Sequence, residues 1–273
     1  GGAGIVAAHA AGLGAEVHYL SVTGNDEPRD FALRELDNIG VKASLFTDDT
    51  RPTTLKKRYR AAGKTLLRVS HLHQTSIDLD LQAQVLDHFE ELASTCQLLV
   101  FSDFNYGCLP QSLVDKLLDR ARDAGMTLVA DSQCSSQIGD VTRFTGMDLL
   151  TPTEHEARVS LRNQQDGLVV LAEKLREASA ARNIILKLGA EGALLFLEGA
   201  DGSLHTDRLP ELNSLPRDVA GAGDSLCISA AMAMAIGATP WEAAYLGSVA
   251  AGVQVSRNGN LPLTQEDLIR EIS

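Results

Sequence analysis

The chain is short of basic residues, of aromatic residues and of long apolar runs. Its 273 residues include 24 lysines and arginines against 36 aspartates and glutamates, which gives a formal net charge of −12. Because this balance repels polyphosphates and anionic lipids, it argues against a nucleic-acid or membrane partner, and any bound phosphate must be held locally. The longest strongly apolar run, at residues 226–236, is shorter than the roughly 20 residues that cross a bilayer.

Cysteine is also scarce, and no Cys-x-x-Cys pair occurs. Isolated cysteines of this kind are typical of reduced core thiols in a cytoplasmic protein. The chain has no internal repeat, low-complexity tract, linker or recognisable signal peptide, and its 44% of hydrophobic residues can fill a large core. We therefore expect one domain over residues 1–273. The four cysteines are Cys96, Cys108, Cys134 and Cys227.

Strand-like and helix-like segments alternate along most of the chain. Short apolar strands separated by amphipathic helices predict a doubly wound α/β fold, a mostly parallel sheet with helices on both faces. Residues 53–69 differ, because two short strands around a Gly turn predict a β-hairpin. The predicted strands are 16–24, 98–101, 126–131, 148–152 and 183–189, with a second hairpin at 193–206. The predicted helices are 5–15, 28–38, 77–92, 112–124, 166–181, 241–255 and 265–272, and a further buried helix opens at Ser225.

Polar residues collect where the predicted strands end. Asp103 and Asn105 follow strand 98–101, and Asp131 closes strand 126–131. Ligands bind at the carboxyl ends of strands in open α/β sheets, so Asp103 and Asn105 are predicted to touch a substrate. In the alternative interpretation they form an Asx turn that caps the strand.

Residues 218–224 read Asp-Val-Ala-Gly-Ala-Gly-Asp and stand directly before the buried helix. Gly221 and Gly223 allow a turn in which several N–H groups converge, with the positive end of the helix dipole behind them. We therefore predict an anion site, in which Asp224 stays ionised and accepts a proton from a substrate hydroxyl. Alternatively, Asp218 or Asp224 is only an N-cap and the glycines are only a turn.

The hairpin at 53–69 concentrates positive charge in an acidic protein. In the interpretation that the residues alone give, the basic side chains protect an exposed edge strand from pairing. The basic residues are Lys56, Lys57, Arg58, Arg60, Lys64 and Arg68.

Residues 218–224 resemble the C-terminal signature of the ribokinase-like (PfkB) carbohydrate kinases, and the Gly-Gly start resembles their N-terminal signature. The resemblance implies phosphoryl transfer from ATP to a sugar hydroxyl, with Mg²⁺ and a monovalent cation such as K⁺. It implies that Asp224 is the general base and that N–H groups of Gly221, Ala222 and Gly223 form the anion hole. The resemblance implies that the hairpin is a lid over the sugar and often also a homodimer surface. A basic lid would suit a substrate that already carries a phosphate, as in the heptose-7-phosphate kinases that this stretch most resembles. This interpretation and the protection of an edge strand both stay open.

The resemblance also assigns residues to the two halves of the site. Glu156 matches a family Glu that helps to hold hydrated Mg²⁺, although Thr153 and Glu156 also have the spacing of a capping box. The nucleotide side is expected at Lys187, Gly189, Gly192 and Asp218. The substrate side is expected at Gly1, Gly2, Arg58, Arg68, Asp103 and Asn105.

Two other functions are compatible with the resemblance: a non-catalytic binding protein and a nucleoside kinase. Ile5 and Thr153 stand where the family has Asn, which favours a non-catalytic sugar- or nucleotide-binding relative, whereas the intact Asp224 favours an enzyme. A nucleoside kinase of the same fold would need an aromatic clamp, and aromatic residues make up only 4% of the chain. We therefore predict an ATP-dependent kinase of a small sugar or sugar phosphate. Because the sequence starts at Gly1 without a methionine, we take it as a fragment, an expression product or a processed form.

Overall fold

The computed structural model describes residues 2–61, 64–133, 139–213 and 215–273. Within these ranges strands and helices alternate along the chain. The strands are β1 (His18–Thr23), β2 (Lys42–Thr47), β3 (Leu55–Ala61), β4 (Lys64–His71), β5 (Leu98–Asp103), β6 (Thr127–Ser132), β7 (Leu149–Leu150), β8 (Asn183–Lys187), β9 (Ala193–Glu198) and β10 (Leu204–Leu209). The helices are α1 (Ala3–Gly12), α2 (Glu27–Asn38), α3 (Leu79–Ala93), α4 (Gln111–Asp123), α5 (Glu154–Leu161), α6 (Leu168–Ser179), α7 (Ala222–Ala235), α8 (Pro240–Val255) and α9 (Gln265–Ile272).

Strands β5 to β10 form one six-stranded sheet in the order β10-β9-β8-β7-β6-β5. The strands β5 to β8 run parallel, and β9 is antiparallel to both β8 and β10. In β8, Ile184 and Leu186 pack into the core on one face and Ile185 into the core on the other. Alternate side chains of a strand point to opposite faces, so both faces are covered. The predicted doubly wound α/β fold is therefore confirmed.

Helices α7 and α8 cover one face of the sheet and approach each other closely. A methyl group at Gly247 of α8 would lie 2.8 Å from the backbone oxygen of Leu226 in α7, so this position requires glycine. Helix α1 packs on α7 through Val6, Ala10 and Ile228. The close packing of α7 and α8 thus forms a layer that α1 joins through α7.

Strands β1 and β2 form a separate parallel pair, in register from His18 opposite Lys42 to Thr23 opposite Thr47. Strand β2 was not predicted from the sequence, because its residues are mostly half-buried and form no continuous apolar run. In the part of the chain that the structure describes, β1 and β5 do not pair with each other. Both strands line a cleft of about 2320 Å³ that extends to α1 and to the start of α7.

Strands β3 and β4 pair antiparallel, from Leu55 opposite His71 to Ala61 opposite Lys64, and form the hairpin predicted at residues 53–69. We call this hairpin the lid. Its predicted Gly turn, at Ala62 and Gly63, lies outside the described residues.

Several predicted elements have different bounds, and two of these differences lie near the site. Helix α7 begins at Ala222 rather than at Ser225, because Gly221 is its N-cap. Strand β7 covers only Leu149–Leu150 rather than 148–152. The Asp148 carboxylate accepts the Leu128 N–H at 2.9 Å, and Pro152 has no N–H to continue the ladder.

Three of the four cysteines lie within the described residues, and Cys96, Cys108 and Cys227 are free thiols. Burial first, and then the charge of Asp131, raise the pKa of Cys227 to about 12, so this thiol stays protonated. Cys134 lies outside the described residues. Across the described ranges, no helix combines the length and the apolar character needed to span a membrane.

Candidate active site

The glycine-rich turn at residues 218–224 places a helix start beside the cleft. Gly221 is the N-cap of α7 and adopts φ 84°, a left-handed conformation that glycine tolerates best. No side chain caps the helix, so Asp218 and Asp224 are not N-caps and the alternative interpretation of the two acids is wrong. The N–H groups of the first helical turn have no intrahelical partner and carry the positive end of the helix dipole. The turn therefore offers the geometry of an anion site.

Asp224 lies in the first turn of α7 with only 9% of its surface exposed. The side-chain amide of Gln133, just beyond β6, donates to Asp224 Oδ1 at 2.8 Å. Burial, followed by the nearby charge of Asp131, raises the pKa of Asp224 to about 6, although Lys187 and the amides of Gln133 and Asn260 oppose this rise. A carboxylate with a pKa near neutrality is suited to act as a general base.

Behind the helix start, Lys187 at the end of β8 forms an ion pair with Asp131 at the end of β6. Lys187 Nζ lies 2.8 Å from Asp131 Oδ1, which also accepts from the Thr151 hydroxyl at 3.0 Å. Burial lowers the pKa of Lys187, but the charges of Asp131 and Glu156 outweigh it and hold this pKa above its usual range. A methyl group at Gly223 would lie 3.1 Å from Nζ, so a fixed positive charge lies against the helix start.

The turn itself is held by its neighbours rather than by a cap. Asp218 accepts from the Ala220 N–H at 3.1 Å and from the Gly259 N–H at 3.3 Å. The fully buried Gln254 donates to the carbonyl oxygens of Ala220 and Gly259. The loop after α8 and the loop before α7 are thus joined. Asp218, predicted on the nucleotide side, organises this junction, and its contact with a nucleotide stays a prediction.

The cleft brings together most of the residues predicted on the substrate side. Gly1 lies outside the described residues. Gly2 is the N-cap of α1, and a methyl group there would meet the ring of Phe104 at 3.4 Å. The predicted residues that line the cleft are Gly2, Arg58, Arg68, Asp103, Asp218, Gly221 and Asp224.

Asp103 and Asn105 form the Asx turn that was the alternative interpretation. The Asn105 N–H donates to Asp103 Oδ1 at 2.9 Å, and Asn105 has φ 59°. The second oxygen of Asp103 accepts from Arg143 at 3.0 Å, and the Asn105 amide donates to the Gln133 carbonyl at 3.1 Å. These bonds connect the end of β5 with the segment that carries Gln133. Substrate contact by Asp103 or Asn105 stays a prediction.

Gly189 and Gly192 form the turn between β8 and β9. Both have positive φ, and a methyl group at Gly192 would lie 2.1 Å from the Leu209 backbone oxygen. The Leu188 N–H closes the turn by donating to the Gly192 carbonyl at 2.8 Å. Because this turn directly follows Lys187, it lies at the strand end that carries the fixed charge, and its contact with the nucleotide stays a prediction.

Glu156 completes the predicted capping box of α5. Its carboxylate accepts the Thr153 N–H at 2.7 Å, and the Thr153 hydroxyl accepts the Glu156 N–H at 3.2 Å. The charge of Glu156 also raises the pKa of Lys187. Among the described residues, no group of three or more His, Cys, Asp or Glu side chains could enclose a metal ion. Mg²⁺ is usually held by one or two carboxylates together with waters and phosphates, so a lone Glu156 fits such an ion.

The lid presents one basic face to the cleft. Arg58 and Arg68 are directly opposite each other in the β3–β4 register, and both line the cleft with Lys56. Lys56 Nζ lies 4.9 Å from the ring centres of Phe104 and Tyr106, in the loop after β5. The side chains of Arg60 and Lys64 lie outside the described part of the chain.

Several functional candidates were missed by sequence reasoning. Asp131 was recognised only as a strand-end acid, and Gln133, Thr151 and Asn260 were not singled out as candidates. Strand-end position was the one available clue, because Gln133 and Thr151 both follow parallel strands within two residues.

The site combines a buried carboxylate, whose pKa is near 6, with an anion site at a helix start. This combination is expected in an α/β phosphotransferase that activates a hydroxyl. The chain belongs to the pfkB family of carbohydrate kinases, whose family description matches residues 1–266. This membership confirms the family that residues 218–224 were predicted to resemble.

Individual relatives agree with this assignment. The chain is 30% identical over 273 residues to the bifunctional protein HldE of Paramagnetospirillum magneticum, covering 98% of this chain and 54% of that protein. It therefore spans about half the length of the curated relatives it matches. Phosphofructokinase-2 from Escherichia coli, in complex with potassium, superposes with a TM-score of 0.78 at 16% identity, covering 97% of this chain and 84% of that one. Arabidopsis thaliana ribokinase, complexed with ribose and ATP, superposes with a TM-score of 0.76 at 17% identity, covering 99% of this chain and 86% of that one.

Proposed function

We propose that this chain transfers the γ-phosphoryl group of ATP to a hydroxyl of a sugar phosphate, with Asp224 as the general base. The observation that carries the proposal is the position of Asp224, which lines the cleft from the first turn of a helix that begins with Gly221. Since the pKa of Asp224 is about 6, its carboxylate is ionised at neutral pH and is basic enough to accept the proton of an attacking hydroxyl.

Two groups of this chain would stabilise the negative charge that develops on the phosphoryl oxygens. The N–H groups at Gly221, Ala222 and Gly223 form the anion hole at the helix start. The ammonium of Lys187, fixed by Asp131, adds a positive charge next to Gly223. The Lys187 ammonium is fixed before substrate binds, whereas the Ala222 N–H donates to the Val219 carbonyl at 3.4 Å and would exchange this long bond for a phosphoryl oxygen.

The nucleotide side of the site is formed by Lys187, Gly189, Gly192 and Asp218, with ATP as the phosphoryl donor. Glu156 would hold Mg²⁺ together with water and the phosphates, and the bound ion would neutralise phosphate charge. A monovalent cation is a further proposed cofactor, supported by the potassium complex of the structurally similar phosphofructokinase-2.

The lid favours a phosphorylated acceptor such as a heptose phosphate. Like charges that lie directly opposite each other destabilise two antiparallel strands. Arg58 and Arg68 lie opposite each other in this way and face the cleft. A phosphate between the two guanidinium groups would remove this repulsion and form charge-assisted hydrogen bonds. Gly2, Asp103 and Asn105 complete the proposed sugar side, and Gly1 is proposed there from the family resemblance alone.

The other face of the lid is proposed as a homodimer surface. Tyr59 and Leu67 are opposite each other there, with 53% and 55% of their surfaces exposed. Two such lids would bury these side chains against each other. We further propose that residues 1–273 act as one kinase domain, and the free thiols Cys96, Cys108 and Cys227 support a cytoplasmic setting.

ADP release with matched sugars and sugar phosphates tests the proposal. We expect turnover with a phosphorylated acceptor and a loss of at least about 10³-fold in kcat for Asp224→Asn. Turnover that survives Asp224→Asn would contradict Asp224 as the general base, and the absence of turnover with every acceptor while ATP still binds would support the non-catalytic relative. Preference for a nucleoside acceptor would support the nucleoside kinase.

The lid is tested separately with the double variant Arg58→Gln/Arg68→Gln. We expect KM for the sugar phosphate to rise about tenfold or more, with little change for the unphosphorylated sugar. Lys57→Gln, on the opposite face of the same hairpin, is the matched control. Equal effects of both variants would contradict a phosphate site between the two arginines.

A further inference from the structure

Asn260, in the loop after α8, occupies the space that Gly221 leaves open. A methyl group at Gly221 would lie 2.2 Å from Asn260 Oδ1 and 2.3 Å from Nδ2. The amide is therefore packed directly against the N-cap of α7, three residues before Asp224. Asn260 Oδ1 is buried and completes no hydrogen bond with the residues that the structure describes. A buried oxygen of this kind needs a donor nearby.

The complementary donor is on α1. His9 is fully buried, and its Nδ1 accepts the Leu263 N–H at 3.1 Å, so the ring proton must be on Nε2. Burial lowers the pKa of His9 to about 4; the neighbouring Asn260 opposes this change and Arg257 adds to it. His9 is therefore neutral at physiological pH. Its Nε2 is also buried and completes no hydrogen bond within the described ranges.

We propose that Asn260, oriented by His9, is a positioning residue for Asp224. In this arrangement the Nε2–H of His9 donates to the Asn260 oxygen and the Nδ2 donor is directed to the Asp224 carboxylate, which agrees with the effects of Asn260 that raise the pKa of His9 and lower the pKa of Asp224. Gln133 donates to the same carboxylate from the end of β6. Two amides from different parts of the chain thus fix the rotamer of the base. The inference rests on the proposed role of Asp224 as general base.

A purely structural role for the pair is poorly supported by its surroundings. The loop is already held by Asp218 and Gln254, which bond to Gly259, and by Arg257, which lies 3.1 Å from Asp267. Loss of the Asn260 amide therefore leaves the loop anchored. What it removes, on this proposal, is one donor to Asp224 and the acceptor for His9.

The first test is the pH dependence of kcat/KM for the unmodified chain and for Asn260→Ala. Asp224 is also faced by Asp131 and Gln133 from the β6 side, by Lys187 from β8 and by Cys227 on its own helix. These groups are unchanged, so loss of the donor is expected to move the acidic limb upward by about one pH unit. We expect kcat at pH 7 to fall about tenfold with less than about twofold change in KM.

Asn258→Ala is the matched control, since Asn258 is exposed in the same loop two residues away. It should leave both the acidic limb and kcat unchanged. An acidic limb that does not move in Asn260→Ala would overturn the proposal, as would an equal shift in Asn258→Ala.

Two variants of His9 separate its two hydrogen bonds. His9→Asn keeps an acceptor at the position of Nδ1 for Leu263 but loses the donor at Nε2, whereas His9→Gln keeps that donor. We expect His9→Asn to reproduce the shifted pH profile of Asn260→Ala and His9→Gln to stay close to the unmodified profile. The reverse order, or identical profiles in folded variants, would contradict orientation of the amide by His9.

A second readout does not depend on turnover. The difference in Tm between the chain and Asp224→Asn, followed from pH 4 to pH 8, reports the titration of Asp224. In the Asn260→Ala background its midpoint should rise by about one pH unit. A rise without any kinase activity would refute the proposed function and keep the Asn260–Asp224 relationship. Kinase activity with an unmoved midpoint would refute the positioning role alone.

Discussion

Lys187 and Asp131 form a buried ion pair between the ends of two parallel strands, with 2.8 Å between Nζ and Oδ1. The side chains are only 12% and 4% exposed. Since β7 lies between β8 and β6 in the sheet, the long lysine side chain reaches across one strand to its partner. The pair thus places a positive charge beside Gly223 and connects the carboxyl ends of β8 and β6.

Removing only one partner of this pair should be strongly destabilising. Lys187→Met leaves Asp131 buried with the Thr151 hydroxyl as its remaining side-chain donor, and we expect a loss of about 3–5 kcal/mol in the free energy of unfolding. Lys187→Met/Asp131→Leu should recover most of this loss, because two apolar side chains replace two charges. Urea denaturation measures both. Equal stability of the single and double variants would show that the ion pair is not buried as described.

Asp224 should weaken the fold at neutral pH. Its pKa rises from the ordinary 3.8 to about 6 on folding, so the folded state holds the proton more tightly than the unfolded chain. The stabilising contribution is complete below pH 3.8 and is lost as the pH rises to about 6, which corresponds to about 3 kcal/mol. Asp224→Asn should therefore gain stability over this window. Unfolding free energies at pH 4 and pH 8 test this, and an equal gain at both values would contradict the raised pKa.

Gly221→Ala should damage the site through two effects. The position has φ 84°, and the new methyl group would overlap Asn260 at 2.2 Å. We expect a loss of about 2–4 kcal/mol in stability and at least about tenfold in kcat. Gly237→Ala is the control, because Gly237 also has positive φ at the other end of α7 but has open space around it. It should show only the conformational cost, about 1–2 kcal/mol, with kcat unchanged.

Lys56 should hold the lid over the cleft through its contact with two aromatic rings. Lys56→Met keeps most of the apolar stem but removes the charge that lies 4.9 Å from the centres of Phe104 and Tyr106. We expect KM for the sugar phosphate to rise about 3- to 10-fold with kcat nearly unchanged. Lys57→Met, directed to the other face of β3, should have no such effect. A similar rise in KM for both would point to general electrostatic attraction instead.

Much of the fold and the core of the site could be predicted from local sequence. Apolar runs and amphipathic periods located most strands and helices, and the Thr153/Glu156 spacing predicted the capping box that is observed. Gly221 was predicted to allow a tight turn before the helix, and it does so with φ 84°. These features depend on residues within a few positions of each other, so their physical chemistry is contained in a short segment.

The partners of Asp224 could not be predicted in the same way. Gln133 is 91 residues from Asp224, Asp131 is 56 residues from Lys187, and the His9 ring accepts from Leu263 across 254 residues. Which of these meet depends on the order of the strands and on how closely α1, α7 and α8 pack. No local propensity encodes that order.

The sequence by itself therefore determined the chemistry around residues 218–224: a glycine turn, a helix dipole and an acid at its start. The tertiary structure decided how that acid is tuned. Strand order brings Asp131 and Lys187 to Asp224, and burial raises its pKa to about 6. A carboxylate acquires such properties only from the low-dielectric surroundings and the charges that distant segments assemble around it.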